Sequence, residues 1–278
     1  MSNLFADING LKICYEILGE GDPVLLVHGF GSKKESWIAQ FKPLSEHFKV
    51  IRFDNRGAGK SDRPKGSYTM GIFADDTAGF LDFLKIDKVH IIGWSLGGMI
   101  VQNFVLKYPD LVNKMVLINT NYGTPDESGP IAYRNMRLNN LKAKQEDPEK
   151  AFWKSIRADY YIAFRKQLEA EPSKKWYGLW SAEDLIKESM IDPSTEEDIN
   201  AQANALNTHY TFDRLNEIKN ESLLITSTHD RVTPKLVMEE MHKEIPNSTL
   251  KVLDKAGHCS PRSRAPEVNQ MIIDFLKN

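Results

Sequence analysis

Val89-His90-Ile91-Ile92-Gly93-Trp94-Ser95-Leu96-Gly97-Gly98 is the stretch on which the fold of this chain turns. Val89 to Ile92 has the length and apolarity of a buried strand, and Leu96 to Lys107 reads as a helix that ends before Pro109, because helical backbone is disfavoured ahead of proline. Between strand and helix lies Gly-x-Ser-x-Gly. A strand that reverses sharply into a helix leaves no room for side chains beside the turn, so glycine is needed on both flanks and the serine is pushed outward. Ser95 is therefore expected to be aimed as a nucleophile. The alternative, a glycine-rich turn with an incidental serine, is weakened by the strand before it and the helix after it.

Outward from this segment, short apolar stretches recur at Val24 to Val27, Val50 to Phe53, Met115 to Ile118, Leu223 to Thr226 and Leu250 to Leu253. Their hydrophobicity is too continuous for a sheet with one wet face, so they predict a buried parallel sheet. Helical stretches at Trp37 to His47 and Gly71 to Lys85 alternate with them, and Val268 to Leu276 closes the chain, a repeated strand-helix-strand order. Asn9-Gly10 separates Leu4 to Ile8 from Leu11 to Ile17. Asn-Gly tolerates φ > 0 at both positions of a two-residue turn, so the chain is expected to open with a β-hairpin. The predicted class is α/β, a mostly parallel sheet with helices on both faces, built from residues 1–121 and 213–278. Residues 122–212 read as a helical insertion, without a strand pattern and punctuated by Pro125, Pro130, Pro148, Pro172 and Pro193. Within it Phe152, Ile156, Tyr160, Phe164 and Leu168 recur every four residues, which predicts one helix face packed on the main domain.

The chain has 278 residues, 41% of them hydrophobic, enough for a sizeable core. A net charge of -2 with 27% charged residues supplies no general attraction to nucleic acid or to an anionic membrane, so neither partner is expected. Cys14 and Cys259 are the only cysteines and show no metal-ligand spacing, which argues against a disulfide framework or a zinc site. Reduced thiols, no secretory pattern at the start and no apolar run near about 18 residues together lead us to expect a soluble, cytoplasmic protein.

A serine hydroxyl is a poor nucleophile at neutral pH, so Ser95 requires a histidine to take its proton and a carboxylate to orient that histidine. Of seven histidines, His229 and His258 follow strands in loops. His258, in Asp254-Lys255-Ala256-Gly257-His258, lies past Leu250 to Leu253, where open α/β sheets assemble their sites, and is assigned as the base. Asp230 lies just past Leu223 to Thr226, ahead of a helix that Pro234 starts, and is assigned as the acid. The competing strand end carries Asn119 and Asn121, and an amide does not stabilise an imidazolium as a carboxylate does. For the developing oxyanion the expected donors are the backbone N–H groups of Leu96, directly after the nucleophile, and of Phe30, in the His28-Gly29-Phe30-Gly31 turn.

Five features together resemble the α/β-hydrolase superfamily across almost the full length. They are the His-Gly-Phe-Gly turn, Asp54-Asn55-Arg56-Gly57-Ala58-Gly59-Lys60-Ser61, the Gly-Trp-Ser-Leu-Gly-Gly segment, the loop at Asp230 and Ala256-Gly257-His258. The order Ser95, Asp230, His258 matches that superfamily's nucleophile-acid-base order. The Asp54 to Ser61 segment is similar to the superfamily's D-x-R-G-x-G-x-S loop; it also ends in Gly-Lys-Ser, but a phosphate-binding loop needs glycine where Asp54 stands, which excludes that reading. Thr228 departs from the pattern, since relatives often carry glycine there. The insertion resembles the superfamily's helical cap.

The resemblance implies a serine hydrolase of carboxylic esters, with no metal and no organic cofactor, acting on a small-molecule ester. A serine nucleophile argues against epoxide hydrolases and haloalkane dehalogenases, which attack with aspartate. Enol-lactonase, thioesterase and carrier-protein methyl ester esterase remain alternatives, as does a low-turnover protein that senses a small molecule. Arg134 to Trp180 carries 11 Lys+Arg against 6 Asp+Glu, so a basic cap receiving an acidic carrier or a carboxylate substrate is weighed against a solvated helix face. Trp94, Trp153, Tyr160 and Trp180 are the candidate substrate-contacting aromatics, in a segment that also holds Tyr161, Trp176 and Tyr177.

Overall fold

The structure is a computed structural model that describes residues 2–124, 126 and 128–278; Pro125, read above as a helix breaker, lies outside them. The opening hairpin is present as β1 (Leu4–Ile8) and β2 (Leu11–Leu18), with Asn9 and Gly10 at φ 50 and 76 in the turn. Then follow β3 (Pro23–Val27), α1 (Phe41–Ser45), β4 (Lys49–Phe53), α2 (Met70–Phe83), β5 (Val89–Trp94), α3 (Leu96–Lys107) and β6 (Val112–Ile118). Five helices come next: α4 (Ser128–Glu146), α5 (Pro148–Asp159), α6 (Ile162–Ala170), α7 (Ala182–Ser189) and α8 (Glu196–Leu206). The chain returns through β7 (Glu221–Ser227), α9 (Lys235–Glu244), β8 (Ser248–Leu253), α10 (Ser260–Ser263) and α11 (Ala265–Lys277).

The eight strands form one sheet in the order β1-β2-β4-β3-β5-β6-β7-β8. The first two pairings, β1 with β2 and β2 with β4, are antiparallel, and every later one is parallel. Side chains alternate across each strand, and each strand therefore feeds two cores. Leu25, Ile91, Met115, Leu117 and Leu224 join one core with Phe73, Phe80, Phe104 and Met241. Val24, Leu26, Ile92, Val116, Ile118 and Ile225 join the other with Trp37, Leu44, Val268 and Ile272. Thus α2, α3 and α9 cover one face and α1 and α11 the other, the fold class expected from the sequence.

Two expectations need correction. Trp37 to His47 is not one helix: a 3-10 turn at Lys34–Trp37 precedes the short α1, whose Pro43 interrupts the run. The stripe from Phe152 to Leu168 does not follow a single helix either. The α-helix α5 ends at Asp159, Tyr160 and Tyr161 are extended at ψ 144 and 143, and α6 begins at Ile162. The same-face spacing survives as packing, since Ile156, Tyr160 and Leu168 are all buried in one core. Among the described residues, no helix is long and apolar enough to cross a membrane.

Candidate active site

The central strand β5 delivers Ser95. All six of its residues are buried, and the chain then enters α3 within a single residue, which forces Ser95 to φ 58, ψ -122. That region is costly for a residue with a Cβ and persists only where the surroundings enforce it. Here the Ser95 N–H donates to the Ile118 carbonyl at 3.0 Å, and its own carbonyl accepts from Gly98 at 2.9 Å and from the Thr120 hydroxyl at 2.7 Å. The flanking glycines are needed for contact. A Cβ on Gly97 would lie 2.0 Å from the Val27 carbonyl oxygen, and one on Gly93 would lie 2.4 Å from the Gly97 oxygen. Ser95 is 8% exposed, and its hydroxyl has no hydrogen-bond partner among the described residues.

Asp230 and His258 meet above the ends of β7 and β8. The Asp230 carboxyl accepts from the N–H groups of Val232 and Thr233 at 2.7 and 2.9 Å through Oδ1, and from the Thr233 hydroxyl and His258 Nδ1, both at 2.8 Å, through Oδ2. Four donors around a fully buried carboxyl fix its orientation. With a carboxylate as acceptor, His258 Nδ1 carries the ring proton and Nε2 keeps its lone pair. Thr228, the departure from the family pattern, ties the two loops together: its N–H donates to Leu253 at 3.0 Å and its hydroxyl oxygen accepts from the Lys255 N–H at 2.9 Å. His229, the other loop histidine, is exposed, and its ring meets Thr228 and Tyr161.

The histidine loop is also tied to the serine turn. The His258 carbonyl accepts from Trp94 Nε1 at 3.1 Å and from the Asn119 amide at 2.8 Å, and Asn119 donates again to the Ser260 hydroxyl at 2.9 Å. Asn119 is fully buried at φ 43. Asn119, set aside as the acid, thus clamps the His258 loop, a role that needs the amide's donors. No sequence signal marks it.

The turn from His28 to Gly31 faces Ser95: a Cβ on Gly29 would lie 3.8 Å from Ser95 Oγ. His28 Nε2 accepts from the Asn55 N–H at 3.0 Å, so Nδ1 bears the proton and donates to the Gly29 carbonyl at 2.9 Å; burial lowers the His28 pKa and keeps this tautomer neutral. Asp54 anchors the same region from below by accepting the Lys34 and Lys60 N–H groups at 2.7 and 3.0 Å. Neither the Phe30 nor the Leu96 N–H has an acceptor among the described residues. Leu96 is the first residue of α3, where helix geometry leaves the N–H free.

Two side chains from the helical segment grip this turn. Gln202 in α8 accepts the Gly31 N–H at 2.9 Å and donates to the Gly57 carbonyl at 3.2 Å, and Arg137 in α4 donates to the Phe30 carbonyl at 3.2 Å. The peptide between Phe30 and Gly31 is thus held at both its oxygen and its nitrogen. Outside the turn lies a cavity of about 670 Å³ between Gly31 to Ile38 and helices α4, α5 and α7. Tyr160 lines it. The other three aromatics expected on its wall are elsewhere: Trp94 packs against Trp37 at 6.0 Å behind His258, Trp180 is fully buried between Tyr160 and Phe164, and Trp153 turns to Glu149. Their size and apolarity are used for packing.

Comparison with known proteins agrees with this fold. The α/β-hydrolase fold family matches residues 22–261. An uncharacterised protein of Mycobacterium tuberculosis is 33% identical over 122 residues, 44% of this chain, and the chain spans only 36% of that relative's length. The 2-hydroxy-6-oxo-6-phenylhexa-2,4-dienoate hydrolase of Comamonas testosteroni is 25% identical, over 98% of this chain and 93% of its own. Among solved structures, an esterase from Thermogutta terrifontis superposes with a TM-score of 0.83 at 26% identity, covering 100% of this chain and 98% of its own. The enol-lactonase from Burkholderia xenovorans does so with 0.83 at 25% identity, covering 99% and 100%. With the sheet order, the strained serine turn and a family match over most of its length, the chain belongs to the α/β-hydrolase fold family.

Proposed function

We propose that the protein is a serine hydrolase that cleaves carboxylic esters through an acyl intermediate on Ser95, with His258 as base and Asp230 as its orienting acid. The observation that carries this reading is the 2.8 Å bond from His258 Nδ1 to buried Asp230, on a loop whose carbonyl is bound to Trp94, the residue before the serine. That bond directs the Nε2 lone pair away from the acid, as a general base requires.

In this mechanism the Ser95 oxygen adds to the ester carbonyl while its proton passes to His258 Nε2. The charge that develops on the carbonyl oxygen meets the free N–H groups of Phe30 and Leu96. The bond to the alcohol then breaks, and His258 returns the proton to the leaving oxygen. A water gives a proton to His258 as its oxygen adds to the acyl carbon, and Ser95 departs with that proton. The esterase and enol-lactonase among the similar structures favour ester and lactone substrates over other classes. Cleavage of a carbon–carbon bond is the second reading, supported by the Comamonas relative.

Turnover of p-nitrophenyl butyrate should fall at least about 1,000-fold in Ser95→Ala and in His258→Ala. Undiminished turnover in Ser95→Ala would remove the reading, and a burst without steady-state turnover in the wild type would favour a sensing protein. Cleavage of a 2-hydroxy-6-oxodienoate without any ester turnover would establish the second reading.

A further inference from the structure

The cavity outside the His28 to Gly31 turn is electrically unbalanced. Among its lining residues, Lys33 pairs with Glu188, Arg52 with Glu16 and Lys175 with Asp184. Arg137, Lys144, Lys187 and Arg262 have no carboxylate in ion-pair contact among the described residues, whereas Asp159 and Asp192 are the lining acids without a cation. Two of these free cations share one face of α4: Arg137, Leu141 and Lys144 stand at helical spacing along the wall, so the cations are about 10 Å apart along the axis.

Arg137 has five N–H donors, and one of them is used, on the Phe30 carbonyl. Its Nε is buried and has no hydrogen-bond partner among the described residues. The guanidinium stands 5.5 Å over the Phe30 ring but meets no carboxylate among the described residues, and its planar fork fits a carboxylate through two bonds at once. Lys144 donates to the Ser189 carbonyl and meets no acid among the described residues. Burial, then the charges of Lys33 and Arg137, lower its pKa to about 8, a crowding of positive charge that a bound anion relieves. Asp159 is the buried acid on this wall, and burial pushes its carboxyl up against the nearby charges of His258, Arg137 and Arg262.

We infer that Arg137, with Lys144 behind it, forms a carboxylate subsite, and that the preferred substrate is an ester or lactone that carries a free carboxylate. This rests on the ester-cleaving reading for the centre it serves. Because Arg137 donates to the carbonyl of Phe30, the subsite adjoins the turn that carries the proposed oxyanion donor. We expect the substrate's carboxylate to lie only a few bonds from the scissile carbonyl.

The test compares kcat/KM for monoethyl glutarate with that for ethyl pentanoate, and for 4-acetoxybutanoate with that for pentyl acetate, in the wild type, Arg137→Gln, Arg137→Lys and Lys144→Gln. At least one charged ester should be preferred by about tenfold or more, mainly through KM. Arg137→Gln should bring that ratio close to one, Arg137→Lys should keep part of it, and Lys144→Gln should lower it less. Damage to the turn affects charged and neutral esters alike and cancels in the ratio. No preference in a wild type that turns over the neutral esters, or a preference that survives Arg137→Gln, overturns the subsite. Calorimetry of monoethyl glutarate and 4-acetoxybutanoate binding to Ser95→Ala, with and without Arg137→Gln, decides the same point without turnover: binding of either that Arg137→Gln weakens about tenfold sustains the subsite, and binding of neither, or binding indifferent to the substitution, overturns it. Loss of all ester cleavage in Ser95→Ala separately checks the centre.

Discussion

At the scale of single residues, the site separates into groups that chemistry names and groups that only geometry names. The strained turn at Ser95 and the meeting of Asp230 with His258 past the strand ends were legible, because a nucleophile, a base and an acid admit few residue types at few strand ends. Asn119, Gln202 and Arg137 were not. Each acts on a backbone group more than 100 positions away, as with Gln202 on the Gly31 N–H 171 residues earlier, and no local pattern encodes such a distance. Trp94, Trp153 and Trp180 failed in the opposite sense, since an apolar ring suits a core as well as a pocket. Gln202 is 2% exposed and holds the nitrogen side of the peptide after Phe30. If it positions the Phe30 donor, Gln202→Ala should lower kcat on simple esters by about tenfold with little change in KM, and Gln202→Glu, which keeps the acceptor, should recover most of it. A rise in KM at constant kcat would assign Gln202 to ground-state binding instead.

At the scale of elements, the strands and α3 were read within a few residues, because a buried parallel strand has no competing pattern at that length. The helical segment was less legible. Spacing by four carried the reading straight through Tyr160 and Tyr161, where the backbone leaves the helix, because tertiary packing rather than periodicity decides where such a helix stops. The return of this segment to the sheet is pinned by His209, which is buried: its Nε2–H donates to the Asn121 carbonyl at 3.0 Å and its Nδ1 accepts from the Asn103 amide at 2.9 Å. Burial, only partly offset by the bond to Asn121, lowers its pKa to about 4. Above pH ~6.5 it is neutral folded and unfolded, and it has no effect on stability. As pH falls from there to 4, the unfolded chain takes up the proton and the folded one resists, so stability drops by about 3 kcal/mol at pH 4. Urea midpoints at pH 7.5 and 4.5 should diverge less in His209→Gln than in the wild type. Parallel losses in both would place the acid sensitivity elsewhere.

At the scale of the whole molecule, the sheet places Ser95 at the carboxyl end of its central strand, and the loops after β7 and β8 bring Asp230 and His258 to the same edge. That convergence follows from parallel strands, whose ends on one edge all share one sense. The helical segment adds what strand order alone does not supply, namely a wall with free cations and a grip on the turn that carries Phe30. The central claim is that this assembly makes one hydroxyl nucleophilic. It is tested most directly by treating the protein with a fluorophosphonate and mapping the adduct by peptide mass spectrometry. The account predicts a single adduct on Ser95, absent from Ser95→Ala and formed much more slowly in His258→Ala. An adduct on another residue, or labelling that persists in Ser95→Ala, would contradict it.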